Sequence, residues 1–149
     1  MFKRILVAVD ASETSDLALQ AAIRLASEQQ ARLRIAHVID TTDINSLGAE
    51  YLDPSSMLES LAKNGQSVLD RAKAAATAAG VAVETSLVKI EAMNQRISEA
   101  IANEAEAWPA DLIVIGTHGR RGLTRLFLGS VAEGAARLAT KPVLLIPGK

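Results

Sequence analysis

The residues best suited to chemistry by type and spacing lie in one stretch, Gly116-Thr-His-Gly-Arg-Arg-Gly-Leu-Thr-Arg-Leu-Phe-Leu-Gly-Ser130. Gly116, Gly119 and Gly122 permit tight, left-handed turns and let a ligand approach the main chain closely. Gly129 and Ser130 stand where a helix should begin, Val131-Ala-Glu-Gly-Ala-Ala-Arg-Leu-Ala139, with Ser130 able to cap it. A helix N-terminus carries unpaired N–H groups and the positive end of a dipole. Arg120, Arg121 and Arg125 share this stretch, which contains no acidic residue. Taken one at a time, each of these arginines reads as solvated surface. The pattern as a whole suits an anion, and a phosphate in particular.

A second polar centre is Asp10, which follows the apolar block Ile5-Leu-Val-Ala-Val9 and precedes Ala-Ser-Glu-Thr-Ser15. Asp10 either takes part in capping the next helix or serves a ligand. Catalytic machinery is not evident. The lysine of a Gly-x4-Gly-Lys-[Ser/Thr] loop is missing, and no Ser–His–Asp or metal-ligand spacing stands out. His37 reads as a core or surface residue, and His118 as a loop residue with no identifiable partner.

The elements that must hold these residues alternate. Ile5–Val9, Arg32–Ile39, Val81–Val88, Leu112–Ile115 and Val143–Ile146 read as strands, the first apolar without alternation as in a strand covered on both faces, the fourth buried, and the fifth short, apolar and expected at an edge. The third has a more polar half and is expected near an edge. Helices are expected after Ser12 or Ser15, over about 57–79 and about 92–107, and after Gly129. Inner faces are predicted at Leu17, Ala18, Ala21, Ala22 and Leu25, at Leu58, Leu61, Val68, Leu69, Ala72, Ala76 and Ala79, and at Ile97, Ala100, Ile101 and Ala105. Gly80 stops the second helix, and Trp108-Pro109 the third. Thr41–Ser56 shows no period and reads as a long connection. Alternating strands and helices give an α/β fold, a doubly wound, mostly parallel sheet with helices on both faces. In one common winding strands 1 and 4 are neighbours where the order reverses, which brings Asp10 and Gly116 to one cleft.

With 149 residues the chain fits one domain, 1–149. Apolar residues at 49% and charged residues at 22% fit a globular protein, and a net charge of −1 argues against general nucleic-acid or membrane-surface binding. The absence of cysteine excludes disulfides, thiolate metal sites and cysteine nucleophiles. No segment has the length of a signal core or a membrane span, so the expected location is cytoplasmic.

The spacing Gly116-x2-Gly119-x9-Gly129-Ser130 between a strand and a helix is specific, and the chain resembles the universal stress protein family in its nucleotide-binding branch. The matching pieces are Ile5-Leu-Val-Ala-Val-Asp10, His37-Val38, Asp111-Leu-Ile-Val-Ile-Gly-Thr-His-Gly119, Gly129-Ser130-Val131 and Pro142-Val-Leu-Leu-Ile146, spread over essentially the whole length. The resemblance implies a Rossmann-like sheet of order 3-2-1-4-5, an ATP site and a homodimer. It implies Ala8, Asp10 and Val38 around adenine and ribose, and Ile115, Gly116, Gly119, Gly129, Ser130 and Val131 along ribose and phosphate. Asp10 would accept from ribose hydroxyls or hold a hydrated Mg²⁺. The dimer implied would pair the last strand, Val143, Leu144, Leu145 and Ile146, with its copy. Where family members commonly carry a Gly and a Pro after the third strand, this chain has Ile90-Glu-Ala-Met-Asn94.

The function expected is a nucleotide-dependent regulatory or stress-response factor with an unidentified protein partner. A slow ATP hydrolase or phosphotransfer enzyme at the same site is the alternative. A dimeric interaction module with an empty pocket is a third possibility.

Overall fold

In the computed structural model, residues 1–41, 54–90, 92–118 and 128–148 are described. The expected connection between Thr41 and Ser56 therefore falls mostly outside them, as do Gly119, Gly122, Arg120, Arg121 and Arg125. Five parallel strands run in the order β3-β2-β1-β4-β5. They are β1 (Arg4–Ala8), β2 (Arg32–Asp40), β3 (Val83–Ile90), β4 (Leu112–Gly116) and β5 (Val143–Ile146). The described helices are α1 (Glu13–Gln29), α2 (Pro54–Ala78), α3 (Ile97–Ala107) and α4 (Ser130–Leu138). β1 pairs with β2 from Arg4↔Arg32 to Ala8↔Ala36, and with β4 from Ile5↔Leu112 to Val7↔Val114. The order reverses at β1/β4, as anticipated, and β3 and β5 form the edges.

Side chains alternate across the sheet and so divide the core in two. Ile5, Val7, Leu33, Ile35, Leu112 and Val114 pack beneath α1 and α2. Leu6, Ala36, Ile113 and Ile115 pack beneath α3 and α4. The helices approach closely where glycine permits it. A Cβ on Gly134 of α4 would collide with the buried Ser98 of α3.

Element ends follow local chemistry. Ser12 caps α1, its Oγ accepting from the Ser15 N–H at 3.1 Å. Ser15, the other candidate cap, instead lies inside the helix and is buried. The α1 face is turned slightly from the expected stripe: Ala18, Leu19, Ala22 and Ala26 are buried, while Leu17, Ala21 and Leu25 are half-buried. α2 begins at Pro54, three residues earlier than expected, because proline suits the first helical turn. It ends in a Schellman motif, with Gly80 N–H on Thr77 C=O and Val81 N–H on Ala76 C=O at 2.9 and 3.1 Å. Gly80 has φ +77°, and the motif takes Val81 away from β3, which therefore starts at Val83. On α2, Val68, Leu69, Ala72 and Ala76 are buried, but Leu58 is exposed, as is Ala79, which falls just past the helix end. α3 begins at Ile97 rather than 92, since a turn closed by Gln95 N–H on Ala92 C=O precedes it.

Asp111, at the start of β4, fastens the start of β1. Its Oδ2 accepts the Lys3 and Arg4 N–H groups at 2.8 and 2.9 Å. The Lys3 bond above all, then the Arg4 bond and the nearby Lys141 and Arg4 charges, hold its carboxyl below the usual range despite desolvation. Asp111→Ala should cost about 1–2 kcal/mol in urea denaturation at pH 7 by stranding two amides. That stabilisation should be lost as pH falls through the depressed folded pKa, so wild type and variant should converge in acid. An equal gap at every pH would contradict the role.

Candidate functional site

At the carboxyl end of the sheet, β1 runs into a compact turn. The Val9 N–H bonds the Ala36 carbonyl at 2.9 Å, so the turn is still tied to β2. The Asp10 N–H donates to Ser15 Oγ at 2.9 Å, and Asp10 Oδ1 accepts the Ser12 N–H at 3.0 Å. Between these bonds Ala11 takes φ +69°, a left-handed conformation that costs energy for a residue with a Cβ and persists because the bonds on either side fix it. Asp10 thus does take part in the helix cap. Its carboxylate is held in a defined place by the turn it starts.

β4 ends against the first turn of α1. A Cβ on Gly116 would lie 2.7 Å from Thr14 Cγ2 and 3.1 Å from Thr14 C=O, so glycine is required by this packing. Gly116 does not adopt positive φ, and the expected left-handed turn is corrected there. The contact brings the Asp10 turn and the end of β4 together, as the reversal of strand order led us to expect.

From β4 the chain continues through Thr117, whose N–H bonds the Ile146 carbonyl at 2.9 Å. The Thr117 carbonyl accepts the Gly129 N–H at 2.7 Å, which seats the start of α4 beside the end of β4. A Cβ at Gly129 would lie 2.9 Å from that carbonyl. Gly129, with φ −63° and ψ 154°, is the N-cap, and no side chain among the described residues caps the helix. This corrects the expectation for Ser130: it is the first helical residue, exposed, and placed one position too late to cap. Its hydroxyl and the first-turn N–H groups therefore stand at a helix start that no side chain of the cap residue covers.

Four of the expected ligand residues share one face. Ala8, Val38 and Val131 are half-buried and pack against the same core as the buried Ile115, on the α3/α4 side of the sheet. They form an apolar wall at the carboxyl edge, beside the polar turn of Asp10. The described residues accordingly bring Ala8, Asp10, Val38, Ile115, Gly116, Gly129, Ser130 and Val131 to one end of the molecule. Gly119 lies outside the described residues.

Other residues of this region carried little signal in the sequence. Thr14 and Thr117 act through tertiary contacts that no local pattern announces. His118 has a partner after all, its Nδ1 lying 2.9 Å from Thr117 Oγ1. His37 Nδ1 lies 2.7 Å from the Val9 carbonyl. Among the described residues no group of three or more His, Asp or Glu is placed to hold a metal ion. None of the described helices is long and apolar enough to cross a membrane.

A family model described as the universal stress protein family matches residues 1–147. Universal stress protein YxiE of Bacillus subtilis is 37% identical, over 98% of this chain and 99% of its own length. A crystal structure from the same family, from Burkholderia pseudomallei, is 36% identical and superposes with a TM-score of 0.80, covering 98% of this chain and 96% of that one. The universal stress protein of Archaeoglobus fulgidus in complex with dAMP shares the fold at 24% identity and TM-score 0.68, over 97% of each chain.

Proposed function

We propose, from the premise that this chain belongs to the universal stress protein family, that it is an adenine-nucleotide-binding regulatory protein. The observation that carries the reading is the start of α4, seated by Gly129 against Thr117 at the carboxyl edge of β4 and without a side-chain cap among the described residues. A phosphate there would be met by first-turn N–H groups, the helix dipole and the Ser130 hydroxyl. The apolar wall of Ala8, Val38, Ile115 and Val131 would face the base, and Asp10 the ribose. Gly116 keeps the end of β4 close to α1, and Gly119, outside the described residues, is assigned to the phosphate side by the family resemblance alone. The dAMP of the Archaeoglobus protein makes adenine nucleotides the class to test first.

ATP with Mg²⁺ is the proposed form. The donor chemistry fits a nucleotide-borne magnesium, which binds through phosphates and one or two carboxylates and keeps several waters. Asp10 is the carboxylate of the turn, and bound magnesium would offset its repulsion of the phosphates. The proposed role is a nucleotide-dependent regulatory or stress-response factor of the cytoplasm, with the single domain spanning 1–149 and a protein partner yet to be identified.

The test is chromatography of nucleotide released on denaturing the purified protein, followed by ATP titration with Mg²⁺. The expected result is ATP in the native protein and about tenfold weaker binding by Asp10→Ala. Release of ADP instead would favour slow hydrolysis at this site. Absence of both bound nucleotide and titration would sink the reading.

We also propose a homodimer through β5. This strand is at the sheet edge, with Leu144 39% exposed and Val143, Leu145 and Ile146 half-buried. Apolar edges of this kind are usually covered, and pairing with a second copy would cover it. Light scattering at micromolar concentration should give twice the chain mass. A monomer there would remove the proposal.

A further inference from the structure

We infer that His37 is a positioning residue for the nucleotide turn, set in place by α2; the inference rests on the binding reading above. A backbone carbonyl only accepts, so at 2.7 Å from the Val9 carbonyl the His37 Nδ1 must carry the proton and donate. Val9 immediately precedes Asp10, and its own N–H is held by the Ala36 carbonyl. Both polar groups of Val9 are therefore fixed by β2, one through the backbone and one through the imidazole. Beyond Val9 the turn is fixed by Ser15 and Ser12 on Asp10 and contains the left-handed Ala11. A turn held in a costly conformation depends on the bonds at its ends.

His37 lies opposite Leu87 in the β2–β3 register, and the two side chains meet the same residue of α2. A Cβ at Gly65 would come within 2.9 Å of His37 Cδ2 and 2.8 Å of Leu87 Cδ1. Gly65 is thus the seat on which the ring rests, and an added methyl would push the ring from its place. Alternation puts His37 on the α1/α2 side of β2, and the neighbouring Val38 on the α3/α4 side with the apolar wall. The imidazole acts on the ligand through the turn and does not line the wall. A chain of contacts follows from α2 through Gly65 and His37 to Val9 and Asp10, so α2 and the nucleotide turn share one side chain.

The experiment uses the full chain, with ATP and Mg²⁺ as the probe, and compares His37→Leu, His37→Asn and Gly65→Ala. Asparagine offers an N–H near the position of Nδ1, and leucine offers none. The expected result is a Kd raised about tenfold for His37→Leu and for Gly65→Ala, with His37→Asn within about threefold of wild type, each measured well below its melting temperature. Unchanged affinity in His37→Leu, or equal losses in the leucine and asparagine variants, would overturn the inference. Nitrogen-15 spectra of the imidazole at pH 8 give an independent reading. A proton on Nδ1, with Val9–Ser12 amide shifts that move in Gly65→Ala and return in His37→Asn, supports the positioning role. A proton on Nε2 alone, or amides that do not respond, overturns it. These spectra decide the matter even if wild type takes no ATP, in which case the binding reading fails by itself, or if His37→Leu does not fold.

Discussion

Trp108→Ala should lose about 3–5 kcal/mol of stability in urea or thermal unfolding followed by circular dichroism, the range for truncating a large buried aromatic residue. Trp108 is 6% exposed and lies in the core under α3 and α4. It also organises the polar groups around it. Its Nε1–H donates to Glu84 Oε1 at 2.6 Å, and its carbonyl accepts from Arg4 at 3.1 Å. The guanidinium carbons of Arg34 and Arg4 stand 5.1 and 5.6 Å from its ring centre. Arg34 in turn bridges Glu84 of β3 and Glu104 of α3 at 3.2 and 2.7 Å. A domain of this size is stable by only about 5–15 kcal/mol, so the loss would be a large share of the total.

Trp108→Phe separates the ring from its N–H. It should cost about 1–2 kcal/mol and leave Glu84 to Arg34 alone. Burial by itself would raise the Glu84 carboxyl, but hydrogen bonds from Arg34 and Trp108 and the charges of Arg34 and Arg32 hold it below the usual range. A depressed folded pKa contributes stability that is present at neutral pH and is lost as pH falls through it. The phenylalanine variant should therefore show a shallower loss on acidification than wild type. A cost below about 1 kcal/mol for Trp108→Ala would mean that α3 is held by something other than this residue.

How far the sequence reveals this molecule depends on whether the cause is local. β1 and β4 could be read because strands buried on both faces need continuous apolar residues, as in Ile5–Val9 and Leu112–Ile115, whereas β5, equally apolar, is only half-buried at the sheet edge. The sheet order was legible only through family resemblance and the rule for right-handed crossovers. Helix starts were misjudged at Pro54 and Ile97, where turn and cap geometry compete with apolar periodicity. The glycines teach the sharper lesson. Gly116 and Gly129 looked as though a ligand required them, whereas Thr14 and the Thr117 carbonyl already do. The bond from His37 to Val9 joins residues 28 apart and has no sequence signature. The same holds for Arg34, whose partners Glu84 and Glu104 lie 50 and 70 residues away.

Gly129→Val should abolish detectable ATP binding, a loss of at least about a hundredfold, and should destabilise the fold by about 1–3 kcal/mol. The added carbon would meet the Thr117 carbonyl at 2.9 Å and force α4 away from the end of β4. Lost binding in this variant alone would not separate a phosphate site from a displaced helix. Ser130→Ala makes the separation. Ser130 is exposed at the first helical position and caps nothing, so its loss should change stability by no more than about 0.5 kcal/mol. If the hydroxyl donates to a phosphate, ATP affinity should nevertheless fall about five- to tenfold. Isothermal titration of both variants, beside thermal unfolding, reads the two effects separately. Weakened binding in Ser130→Ala at unchanged melting temperature places phosphate at the start of α4. Wild-type affinity in Ser130→Ala, with loss only in Gly129→Val, would mean that this helix start holds up the site without touching the ligand.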